Sequence, residues 1–172
     1  MTNAKPLISE NEFTTKLPEI GIMDYYGIKI QIIEVPAITK NYNEINHGLF
    51  FMSIIRESNL IIITINSKSE LSLIKEELKN NDVDKKFLLY QKENIEEFRN
   101  DIWKSLNLIK VYTKQPSKER DYPPIAIKKG SKIKDIASEI HKDFIRKFKF
   151  ARVWGSSVKH QGARAGPHHI LN

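Results

Sequence analysis

Between residues 19 and 106 the hydrophobic pattern keeps switching period, and that alternation restricts the fold of this chain more than any other feature. EIGIMDYYGIKIQIIEVP, residues 19–36, reads as two strands joined at Tyr26-Gly27, with Ile28, Ile30 and Ile32 on one face of the second. NEINHGLFFMSIIRES, 43–58, spaces its apolar residues as a helix does, with a break near Gly48. NLIIITIN, 59–66, has the length and β-branched content of a fully buried strand. SELSLIKEELKN, 69–80, is an amphipathic helix with Ser69 as its expected N-cap. KFLLYQ, 86–91, is a short strand, and NIEEFRNDIWKSL, 94–106, a helix with Ile95, Phe98, Ile102 and Leu106 along one face. Strands alternating with helices in this way predict an α/β sheet up to about residue 106.

A second unit follows without a flexible linker, so the expected domains are 1–106 and 107–172. LIKVYTK, 108–114, is a strand; QPSKERDYPP, 115–124, is a polar surface loop able to meet a partner; IAIKK, 125–129, is a strand ending at Gly130. Ser131 is the expected cap of a helix reaching about Lys147, with Ile133, Ile136, Ala137, Ile140, Phe144 and Phe148 as its apolar stripe. FARVW, 150–154, is a third strand. Strand, strand, helix, strand is the order of a β-grasp fold.

The charge is distributed unevenly. Residues 107–172 carry 15 Lys/Arg against 5 Asp/Glu, a balance of +10, whereas residues 1–106 carry 13 against 16, a balance of −3. A basic module beside a near-neutral one points to a polyanionic partner, nucleic acid first, with a solvated lysine-rich surface as the alternative. With no cysteine there is no disulfide framework and no thiolate ligand or nucleophile. The longest apolar run, LIIITI at 60–65, is far short of the ~20 residues a membrane helix needs. MTNAKPLISENE has no secretory core, and the expected location is cytoplasmic.

Two stretches carry a family resemblance. ARVWGSSVKHQG at 151–162, together with LNLIKVYTKQP at 106–116, resembles the TGS domain at the C-terminus of the developmentally regulated GTP-binding proteins, in the Obg-like branch of translation-associated GTPases. NEFTT at 11–15 resembles that family's switch I, and IKIQIIEVPAI at 28–38 its strand into switch II. The resemblance implies an incomplete Ras-like α/β sheet followed by a small TGS β-grasp unit. It also implies GTP and Mg²⁺ as ligands, ribosomal RNA or the ribosome as partner, and a partner protein of the kind that accompanies this family.

The same comparison shows departures. No G-x-x-x-x-G-K-[ST] occurs, the loop whose backbone N–H groups cradle phosphates, and no Asn-Lys-x-Asp occurs to read the base. TNAKP at 2–6 resembles the segment directly after the P-loop helix. The switch II acid is Glu34, followed by Pro36 and by Ala37 in place of glycine; with Thr14 or Thr15 these are expected remnants of a nucleotide and Mg²⁺ site. Phosphoryl transfer is almost entirely positioning and electrostatics, so no hydrolysis and no cofactor are expected of these residues alone. RAGPHHILN stops where relatives continue into a final strand, so the β-grasp is expected to lack its last strand. Two alternatives stay open: a GTP-binding protein whose P-loop lies outside the sequence given, and a nonfunctional gene fragment.

The candidate RNA contacts follow from charge and aromaticity. Lys110, Lys114, Lys128, Lys129, Arg152, Lys159 and Arg164 are placed to neutralise phosphates. Tyr112 and Trp154 offer rings for unpaired bases, although the commoner fate of an aromatic ending a strand in a small domain is the core. His160 is read as loop hydrogen bonding or an RNA contact. His160, His168 and His169 have no clustered carboxylate or cysteine to complete a metal site. Gly155, Ser156, Ser157 and Lys159 have the wrong order and spacing for a P-loop.

Overall fold

A computed structural model describes residues 1–3, 17–90, 94–140, 146 and 148–172. The chain forms two compact units, Met1–Leu106 and Asn107–Asn172. The first opens with a hairpin, β1 (Glu19–Tyr25) and β2 (Ile28–Glu34), paired antiparallel from Glu19↔Glu34 to Tyr25↔Ile28. Tyr26 and Gly27 turn the chain at φ 52° and 89°, the primed geometry whose twist matches the strands. The Asp24 carboxylate accepts the Gly27 N–H at 2.9 Å, and its ion pair with the Lys29 ammonium holds its pKa below the ordinary value.

Helix α1 (Gly48–Glu57) follows a 3-10 turn at Tyr42–Glu44. Strand β3 (Ile61–Ile63) leads through α2 (Lys68–Asn80) into β4 (Phe87–Leu89), which lies parallel to β3 in the register Ile61↔Phe87, Ile62↔Leu88, Ile63↔Leu89. Alternation along this pair feeds two cores. Ile61, Ile63, Phe87 and Leu89 pack with Tyr42, Phe51, Met52, Ile55 and Leu78 from the α1–α2 side. Leu60, Ile62, Leu88 and Tyr90 pack with Met23, Phe98 and Ile102 on the other side, where α3 (Ile95–Leu106) lies. Ile30 and Ile32 of the hairpin join this second core, and Ile28 is buried as the alternation predicts. The sheet is interrupted: β1–β2 and β3–β4 are separate two-stranded sheets among the described residues.

Several local expectations are corrected. Ser67, not Ser69, caps α2: its hydroxyl accepts the Glu70 N–H at 3.3 Å, while the Glu70 carboxylate accepts the Asn66 N–H at 2.8 Å. Ile95 is exposed, because the core face of α3 begins only at Phe98. Asn94 caps that helix, its side-chain oxygen accepting the N–H groups of Glu96 and Glu97.

The segment after β2 is held from the inside. The buried Glu77 carboxylate accepts the N–H groups of Asn41 at 2.9 Å and Tyr42 at 3.3 Å. Tyr42 is fully buried and donates its hydroxyl to the Pro36 carbonyl at 2.9 Å. Burial pushes its pKa from 10.0 up to about 12. A phenol raised in the folded state contributes stability in full below the unfolded value; that contribution falls as pH rises from 10.0 through about 12. Tyr42→Phe is therefore expected to lose about 1 kcal/mol at neutral pH with its hydrogen bond. It should then lose less additional stability than the parent across that alkaline window in urea titrations. An equal alkaline decline would contradict the buried phenol.

The second unit pairs β5 (Leu108–Val111) antiparallel with β6 (Ile125–Lys128), and β7 (Ala151–Val153) antiparallel with β8 (Ala163–Ala165). Ile109, Val111, Ile125 and Ile127 from the first pair, and Ala151, Val153 and Ala165 from the second, share one core with Ile133 and Ile136 of α4 (Ile133–Ile140). Strand β8 was not foreseen; three residues in the phase Ala-Arg-Ala carry too little pattern. The expected cap Ser131 is also corrected: the Lys132 N–H donates to the Asp135 carboxylate at 2.7 Å. Ile140 is exposed rather than part of the stripe. The rest of that predicted helix, with Phe144, falls mostly outside the described residues. Phe148 packs on the core. Among the described residues no helix is long and apolar enough to cross a membrane.

Candidate nucleic-acid interface

Strand alternation sorts the second unit by chemistry. With Ile109, Val111, Ile125 and Ile127 turned to the core, Lys110 and Lys128 stand on the opposite face, across from Ala126 and Leu108. With Ala151, Val153 and Ala165 inward, Arg152 and Arg164 point outward and face each other directly across the β7–β8 pair. Like charges in that position repel. No residue of β5 to β8 is acidic. The described acids lie elsewhere: Glu119 and Asp121 in the loop and Asp135 and Glu139 on α4, with Asp121 accepting the Thr113 hydroxyl at 2.7 Å. The ion pairs Lys29–Asp24, Arg99–Glu96 and Lys104–Asp101 all belong to the first unit.

Aromatic rings sit among these cations. Trp154 is 52% exposed, which overturns the expectation that it packs in the core. The phase of its strand explains why: with Ala151 and Val153 inward, residue 154 falls on the same side as Arg152. That signal was present in the sequence. The Lys114 ammonium lies 5.6 Å from the indole centroid, joining the segment after β5 to the end of β7. Arg120 covers Tyr112 at 4.5 Å and Arg164 covers Phe150 at 4.6 Å. Arg120 and Phe150 were not singled out from sequence, since neither stands out until these pairs form.

The loop from 155 to 162 is internally braced. The Gly155 N–H donates to the Gln161 side-chain oxygen at 2.7 Å, and the Gln161 amide returns a bond to the Gly155 carbonyl at 3.3 Å. Ser156 and Ser157 bond to the backbone of Asn172. Gly162, at φ 77°, donates its N–H to the Val153 carbonyl at 2.8 Å. A Cβ there would lie 3.3 Å from the Trp154 Nε1. Lys159 and His160 are exposed on this loop, and the His160 carbonyl accepts the Ala163 N–H at 3.1 Å. Lys129 is exposed beyond β6. His168 is exposed, while His169 gives its carbonyl to the Ile133 N–H at 3.1 Å, bracing the start of α4. No group of three or more His, Asp or Glu residues that could hold a metal occurs among the described residues.

In the first unit Glu34 ends β2 exposed to solvent, opposite Glu19. Ala37 is exposed, and the Pro36 carbonyl is occupied by the Tyr42 hydroxyl. Thr14 and Thr15 lie outside the described residues.

An interrupted α/β unit followed by a basic β-grasp unit defines a GTPase-type domain joined to a TGS domain, and sequence comparison gives the same pairing. Residues 1–98 match the profile of the 50S ribosome-binding GTPase family and residues 109–172 that of the TGS domain. An uncharacterized GTP-binding protein of Methanocaldococcus jannaschii is 23% identical over 276 residues, covering 99% of this chain and 71% of that protein. Developmentally-regulated G-protein 3 of Arabidopsis thaliana is 40% identical over 80 residues, and developmentally-regulated GTP-binding protein 1 of Xenopus laevis 38% over 80; each match covers 45% of this chain. The match spans only 22% of each of these two relatives. The chain belongs to the developmentally regulated GTP-binding protein family of Obg-like GTPases.

Proposed function

We propose that the TGS unit is an RNA-binding module of the translation machinery, with ribosomal RNA as its ligand and the cytoplasm as its site of action. The observation that carries this reading is the pair of exposed, outward-facing arginines, Arg152 and Arg164, set directly across the β7–β8 pair, with Lys128 exposed on the outer side of β5–β6. The matched GTPase family is a 50S ribosome-binding one, which supports the choice of partner. Residues 1–106 as given include neither a phosphate cradle nor a base-reading motif, so we assign no hydrolysis to these residues alone. We assign the exposed 115–124 loop to a protein partner.

A salt series tests the module. Binding of the full chain to ribosomal RNA should weaken steeply with ionic strength, with a log–log slope near −3 for about four phosphate contacts. Affinity that stays constant from low to physiological salt would end the RNA reading. A second reading, nucleotide binding, is favoured by the GTPase-profile match over residues 1–98. Fluorescent GTP with Mg²⁺ separates the two: we expect no binding at millimolar nucleotide, and micromolar binding displaced by unlabelled GTP would establish the second reading.

A further inference from the structure

We propose that Trp154 is a stacking platform for an unpaired nucleobase, so that the unit takes single-stranded or looped RNA in preference to paired helix. This rests on the RNA reading above and names the kind of RNA. Indole is among the largest apolar surfaces a side chain carries, yet this ring stands at the end of β7, 52% exposed, on the side of the strand that carries Arg152. Three features prepare it for a flat ligand. The Gly162 backbone, at φ 77°, runs close along its Nε1–Cζ2 edge: a Cβ at 162 would stand at van der Waals contact, 3.3 to 3.5 Å from Nε1, Cε2 and Cζ2. The Gly155–Gln161 clasp and the Ser156 and Ser157 bonds to Asn172 hold the loop that positions Gly162. Lys114 covers the indole at 5.6 Å, a weak contact at an exposed site that a stacked base can displace.

Displacement frees the Lys114 ammonium for the phosphate beside the stacked base, while Arg152 and Arg164 take phosphates further along the strand. Phe150 under Arg164 extends the same alternation of ring and cation. Bases inside an A-form helix are already stacked on one another, so a duplex meets only the cations, whereas a single strand meets cations and rings together.

The test compares a short oligoadenylate with the same strand annealed to oligouridylate, both labelled, titrated into the full chain at constant salt. Trp154→Leu should weaken single-strand binding about tenfold and change duplex binding by less than about twofold, while Trp154→Tyr restores most of the loss. In a Trp103→Phe background, which leaves Trp154 as the sole tryptophan, the single strand should quench its emission saturably. Equal affinity for both RNAs with Trp154→Leu silent would discard the platform and leave the cationic face standing. If neither RNA binds at low salt, both the platform and the RNA reading are discarded.

Discussion

Gly48→Ala is expected to destabilise the first unit by about 3 kcal/mol or more, at the upper end of what overpacking does. A Cβ at this position would sit far inside van der Waals contact with the Tyr42 carbonyl oxygen, 2.9 Å from its carbonyl carbon and 3.0 Å from Ile45 Cγ1. The obstacle is backbone, and that backbone has little freedom to yield. Glu77 accepts the N–H groups of Asn41 and Tyr42, the Tyr42 hydroxyl is committed to Pro36, and the Tyr42 ring is fully buried against Phe51. Moving Tyr42 aside would break several of these contacts at once and strand a buried carboxylate, whose unmet bonds are costly. Urea denaturation in a Trp154→Phe background, with Trp103 of α3 as the reporter, measures the loss. A change below about 1 kcal/mol would show that Tyr42 is not held as described.

The second large effect separates binding from stability. Arg152→Glu replaces a like-charge cross-strand pair with an opposite-charge one facing Arg164. That exchange should stabilise the β7–β8 hairpin by roughly 0.2–1 kcal/mol. RNA affinity near physiological salt should nevertheless fall about tenfold, with a shallower salt slope, because one phosphate contact is lost and a repulsive charge put in its place. Thermal melts and RNA titrations on the same preparation give both numbers. A variant that gains stability and loses affinity marks Arg152 as retained for binding; unchanged affinity would remove it from the interface.

Much of this architecture could be read locally. The hairpin at Tyr26-Gly27, the inward phase of Ile28, Ile30 and Ile32, and the three helices between residues 48 and 106 follow from period and turn chemistry, which depend on near neighbours. The charge asymmetry and the missing nucleotide motifs are properties of the residue string itself. Ser69 was misjudged as a cap because Ser67 and Ser69 offer the same hydroxyl two residues apart, and only the bond to Glu70 separates them. Residue type alone favours a core position for Trp154, whereas the strand phase of Ala151 and Val153 implies the outward one that it takes.

By itself, the sequence determined most of the helices and strands, though not β8, together with where the basic charge accumulates and which family the chain resembles, since each of these is carried by neighbours in the chain. Only the tertiary structure decided that Glu77 supports a loop 35 residues earlier, that Gly48 must lack a side chain, that Arg152 meets Arg164, and that Lys114 lies over Trp154. Those facts depend on contacts between residues remote in sequence, whose energies come from burial and hydrogen-bond satisfaction after the chain has closed on itself, and local periodicity carries no record of them.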